Sequence, residues 1–177
     1  MYVRSTLPTT VWTYTEDDLT YELLWVRNGA TFLGALYHPP RPQYQTESLL
    51  DYIEASINEL NTLHPAAFIA LAGDFNQLTD NVITERTGLV QIVHQPTRGH
   101  NKLDRIFVSN LAYSIVRAVT SVVKSDHLAV ISSSDTTKGT MTKTKSQHKY
   151  RPKTAINMHG SWTISLRQIS ASCRQTQ

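Results

Sequence analysis

Phe68-Ile69-Ala70-Leu71-Ala72-Gly73-Asp74-Phe75-Asn76 is a run of small and apolar residues that ends abruptly in glycine, aspartate and asparagine. A continuous apolar run bounded by turn residues suits a strand buried on both faces. Such a strand delivers the residues at its end to the rim of a sheet, where a crevice can form. The residues delivered here are a carboxylate and then an amide. Gly73 lets the backbone bend closely, and Asp74 and Asn76 can then point into one cavity. The plainer reading is that Asp74 caps a turn or a helix start, since Asp and Asn favour both. The rest of the chain bears on that choice.

Upstream, Leu23-Leu24-Trp25-Val26 leads into Arg27-Asn28-Gly29, and Asn-Gly is the strongest short hairpin signal. Thr31–Tyr37 forms the returning strand, stopped by His38-Pro39-Pro40, because proline cannot continue a sheet's hydrogen-bond ladder. Tyr37 stands at that strand's end, where an ordinary interfacial tyrosine would also be at home. Met1-Tyr2-Val3-Arg4-Ser5 reads as the end of a strand. The clearest helix comes after the prolines. Thr46 or Ser48 can cap it, and Leu49, Leu50, Ile53, Ile57, Leu60 and Leu63 recur at helical spacing up to Pro65. Its acids, Glu47, Asp51, Glu54 and Glu59, read as a solvated surface. Strand, helix, strand predicts a layered α/β unit.

Downstream, a loop and a weaker segment lead to Leu89–Val93 and then to the turn-rich Gln95-Pro96-Thr97-Arg98-Gly99-His100-Asn101. Lys102-Leu103-Asp104-Arg105-Ile106-Phe107-Val108 places a carboxylate near the start of a strand. A buried aspartate is costly unless paired, so Asp104 either has a partner or faces solvent. Val116–Val123 reads as another strand. Asp126 and His127 stand in a turn just before Leu128-Ala129-Val130-Ile131. A lone histidine is more often structural than catalytic, but an imidazole beside carboxylates has an obvious use, because a positioned carboxylate fixes its tautomer and raises its basicity.

The composition bounds the rest. With 177 residues, 40% hydrophobic and 18% charged, the chain suits one soluble globular domain. A net charge of +3 permits a polyanionic partner without requiring one. The single cysteine, Cys173, excludes a disulfide framework and a cysteine zinc site, and favours a reducing, intracellular setting, the nucleus included. No apolar stretch has the length to span a bilayer. The chain divides into three parts: residues 1–131 form the folded portion, residues 132–153 a basic Ser/Thr/Lys-rich flexible linker, and residues 154–177 a tail with the spacing for a short helix near 163–172.

Gly73-Asp74-Phe75-Asn76, Leu103-Asp104-Arg105-Ile106-Phe107-Val108 and Ser125-Asp126-His127, in that order and with Tyr37-His38-Pro39-Pro40 upstream, resemble the endonuclease/exonuclease/phosphatase family. Its members are metal-dependent phosphodiesterases related to deoxyribonuclease I and abasic-site endonucleases. The pattern looks most like the endonuclease domain of LINE-type non-LTR retrotransposons, and it covers roughly residues 1–131. The resemblance implies an α/β fold, part of a four-layered sandwich with mixed and antiparallel sheets.

It also implies a role for each matched residue in phosphodiester hydrolysis, which needs an activated water and charge stabilisation on the phosphoryl oxygens. Asp74 would orient or deprotonate the water, and Asn76 and Tyr37 would hydrogen-bond the phosphate. Asp104 would hold His127 for phosphate contact or proton transfer. Asp126 would lie near a divalent metal, normally Mg²⁺. DNA, through its phosphodiester backbone, would be the partner. One departure stands out: the family's early strand with an asparagine, and its strand ending in a metal-binding glutamate, have no counterpart here, as in an N-terminally truncated member. Weakened Mg²⁺ binding is the expected consequence. Three readings are open: a DNA endonuclease, a non-catalytic remnant that binds nucleic acid weakly, or a phosphatase of the same fold acting on phosphoinositide or sphingolipid esters.

Overall fold

The Phe68–Asp74 run lies at the centre of a six-stranded sheet in the computed structural model, which describes residue 1 and residues 3–14, 20–122 and 125–134. In chain order the elements are β1 (Thr10–Trp12), β2 (Glu22–Asn28), β3 (Thr31–Tyr37), α1 (Thr46–Leu63), β4 (Phe68–Asp74), α2 (Asp80–Thr87), β5 (Val90–Gln91), β6 (Asp104–Val108), β7 (Ile115–Val119) and β8 (Ala129–Ser133). The large sheet has the order β1-β2-β3-β4-β6-β5, and β7 and β8 pair as a second, two-stranded sheet. Among the described residues only β3 and β4 run parallel; the other pairs are antiparallel. A parallel pair requires a crossover, and α1 supplies it. The expected α/β class and mixed sheet are therefore present.

Alternation along β4 sorts the two faces. Ile69 and Leu71 point to the side covered by α1, where they meet Leu49, Ile53, Ile57 and Leu60, all fully buried. Ala70 points to the opposite side with Leu33, Ile92 and Val108, against which Val116 of β7 packs. Gly73 is required by strand spacing rather than by a bend. A Cβ there would come within 1.8 Å of the Leu36 carbonyl oxygen on β3.

Several local expectations shift. The hairpin turn centres on Gly29 and Ala30, because Asn28 still pairs with Thr31; Gly29 takes φ +57° at the first turn position, and the Asn28 side chain donates to the Pro8 carbonyl at 3.0 Å instead. Residues 3–5 form no strand, since the Leu7 N–H closes a turn onto the Arg4 carbonyl, and the edge strand is Thr10–Trp12. The residue before α1 is Gln45, without a side-chain cap, so neither Thr46 nor Ser48 serves that role. Leu63 is exposed, while Tyr52 and Ser56 complete the buried stripe. The strand expected at Val116–Val123 is Ile115–Val119; Val122 is fully exposed, and Val123 lies outside the described residues. Strand β8 continues to Ser133, and the expected linker and tail from residue 135 onward lie outside the described residues. Among the described residues no helix is long and apolar enough to cross a membrane.

Candidate active site

Three strands end side by side. Tyr37 on β3 is the cross-strand partner of Asp74 on β4, and Asp74 is the partner of Asp104 on β6. Paired residues face the same side of a sheet, so the phenol and both carboxylates line one row on the face opposite α1. Asp104 is 2% exposed and Asp74 7%. His127, in the turn before β8, reaches this row from the second sheet: its Nδ1 lies 2.9 Å from Oδ2 of Asp104. The partner that a buried Asp104 demands is therefore the imidazole.

Asn76 joins from the loop after β4. Its N–H donates to Oδ1 of Asp74 at 3.1 Å, and its side-chain amide donates to the His38 carbonyl at 2.7 Å. Its φ of +42° is a left-handed conformation that asparagine tolerates better than most residues. Both readings of Asp74 thus hold together, since it closes an Asx-type turn while standing in the row.

Charge in the row is under-compensated. Burial pushes the Asp74 carboxyl above the ordinary aspartate range; the Asn76 N–H opposes this, and the nearby charge of Asp104 adds to it. The Tyr37 phenol is pushed up, first by burial and then by Asp74 and Glu22. Oδ1 of Asp104 is buried and has no hydrogen-bond partner among the described residues. Behind Tyr37, the buried His38 is held below the usual imidazole range by desolvation, and its Nδ1 lies 3.0 Å from the Tyr44 hydroxyl. Tyr44 itself is pushed up to about 12, by burial and then by Glu22.

Asp126 stands apart. Its side chain is 66% exposed and pairs with Arg98 at 2.7 Å. Oxygen donors of this kind suit a hard cation such as Mg²⁺. Yet among the described residues no group of three or more acidic, imidazole or thiol side chains is arranged so that it could hold a metal ion.

One residue of the Pro96-Thr97 turn has an organising role that the sequence does not reveal. The buried Thr97 hydroxyl accepts from the N–H groups of Leu103 at 3.1 Å and Asp104 at 3.0 Å, and its carbonyl accepts from the Leu128 N–H at 2.7 Å. A single threonine thus fixes the start of β6 and the segment that carries His127. The cue was its place in a turn-rich run, since Ser and Thr hydroxyls bond nearby backbone groups.

A scan of protein-family models and a search of curated proteins each return no match. Among solved structures, the endonuclease domain of TRAS1, a telomere-specific non-LTR retrotransposon, aligns with a TM-score of 0.52 at 16% identity, covering 76% of this chain and 72% of that one. CdtB, the biologically active subunit of cytolethal distending toxin, aligns at 0.43 and 18% identity, covering 67% of this chain and 54% of its own. The likeness to the TRAS1 domain speaks to architecture alone: the chain has the deoxyribonuclease I-like α/β fold.

Proposed function

We propose that this chain is a phosphodiester hydrolase of the retrotransposon endonuclease type, acting on DNA. The observation that carries this reading is the Asp104–His127 pair, set beside Tyr37 and Asp74 in one row with Asn76 at its end. Asp74, whose carboxyl burial holds above the ordinary aspartate range, orients the attacking water and takes its proton. The water oxygen bonds to phosphorus as the bond to the leaving oxygen breaks, and the leaving oxygen takes its proton from solvent. The imidazolium form of His127, held by Asp104 through its Nδ1–H, donates its Nε2–H to a non-bridging phosphate oxygen. The Tyr37 hydroxyl and the Asn76 side chain bind the remaining phosphate oxygens. These donors stabilise charge as it develops at phosphorus.

A second reading, DNA binding without turnover, is favoured by the Asp126–Arg98 ion pair and by the missing three-ligand cluster among the described residues. One assay separates the two. Supercoiled plasmid is incubated with the chain and with His127→Ala, with and without Mg²⁺. The nuclease reading expects nicking that falls at least about 10²-fold in the variant. The binding reading expects a salt-sensitive gel shift with no nicking by either protein. Nicking that survives the substitution overturns the first.

A further inference from the structure

Arg105 comes directly after Asp104 in β6 and points to the other face of the sheet, opposite Gly73, where it is 7% exposed. A buried guanidinium needs its N–H groups satisfied. Here Nη2 donates to the Asn76 carbonyl at 3.1 Å, Nη1 to the Leu78 carbonyl, and Nε to the Lys102 carbonyl at 3.1 Å. Nε also faces Oδ1 of Asp80 at 3.1 Å, and the guanidinium lies 5.8 Å from the centre of the Phe75 ring. The fork therefore grips the loop between β4 and α2 by two of its carbonyls.

Asn76 is the only non-glycine residue with positive φ among the described residues. Such a conformation persists only where its surroundings over-determine it. Three contacts do so: its N–H is held by Asp74, its side-chain amide by the His38 carbonyl, and its own carbonyl by Arg105. The first two come from the row and its flank. The third comes from the other face of the sheet, from the residue adjoining Asp104.

We infer that Arg105 is a positioning residue for Asn76, clamping the loop that presents the Asn76 side chain to a phosphate and coupling that loop to the strand bearing Asp104. This role rests on the proposed phosphodiesterase reading for its chemistry, but the clamp itself does not. Lysine cannot replace the fork, since an ammonium on a single stem cannot span the Asn76 and Leu78 carbonyls in the same plane. A cavity of about 530 Å³ lined by Asn76, Asp80, Lys102 and Arg105 gives a small cation access to the clamp.

The test uses Arg105→Ala and Arg105→Lys in the full chain, with Arg86→Lys as a control for loss of an arginine elsewhere. Exchange of the Asn76 backbone amide, read by NMR, is expected to quicken about tenfold in both Arg105 variants, the scale of one lost hydrogen bond, while the amides of α1 and of the control keep their rates. Millimolar methylguanidinium should slow it again in Arg105→Ala but not in Arg105→Lys, whose side chain fills the space. In a nicking assay kcat should fall about tenfold with KM unchanged. Unaltered Asn76 exchange in a folded variant overturns the clamp, as does uniform quickening across α1 or loss of fold in both variants, since Arg105 would then be a general support. Absence of nicking by the unmodified chain sinks the phosphodiesterase reading and leaves the exchange result to decide the clamp.

Discussion

The two faces of β3, β4 and β6 are built from the same strands and tolerate opposite things. On the α1 side, Phe32, Ile69, Leu71 and Phe107 are fully buried against helix residues, and nothing polar is needed until Arg105 near the strand ends. On the other side the apolar cover is thin, and the strands finish in a phenol and two carboxylates. The first face holds the sheet together through burial. The second is held against its own electrostatics by the first, which is how a fold can carry a row of poorly compensated charge.

The largest test of this contrast is Asp104→Asn. The amide keeps the shape but no longer fixes the imidazole, so nicking should drop by roughly 10²–10⁴-fold with little change in Tm. A large fall in Tm would show that the row contributes to the fold as much as the helix face does. The mirror experiment is Leu71→Ala, which should cost about 3 kcal/mol in urea unfolding, from the lost burial and the cavity left behind. Next is Asp74→Asn. Because the folded state raises the Asp74 pKa, the folded chain holds its proton more tightly than the unfolded chain does. That stability is fully present below the unfolded pKa and is lost as pH rises through the folded one. The variant should therefore be more stable than the unmodified chain at pH 7, with the difference vanishing below about pH 3.9, the ordinary aspartate value, and should be inactive. His38 works in the reverse sense: its lowered pKa gives stability that is present above the unfolded value and lost as pH falls. The smallest effect belongs to Arg86→Ala. Arg86 bridges α2 to Glu47, Asp51 and Glu54 on α1, but at a partly solvated surface, so about 0.5 kcal/mol is expected, shrinking with added salt.

What could be read from sequence was whatever a short window encodes. The Phe68–Asp74 strand, the helix after the prolines, and the placing of Asp104 at a strand start and His127 in a turn are all local patterns. Their convergence was legible only through the order of three motifs. What escaped depends on partners far along the chain. The acids of α1 read as a bare solvated face because Arg86 lies beyond β4. The hairpin turn slid by one residue because the register of β2 and β3 fixes which pair sits at the tip. Thr97 and Arg105 look like ordinary turn and strand residues until β4, β6 and the His127 segment are packed together.

Gly73 sits where β3 and β4 touch, and it leaves no gap there: the first atom of any side chain would collide with the Leu36 carbonyl. The distance between those two strands is also the distance between Tyr37 and Asp74. A substitution that wedges the strands apart would therefore spread the phenol and the carboxylate as well. At that seam, drift in the scaffold and drift in the chemistry are one event, and selection acting on either would see both.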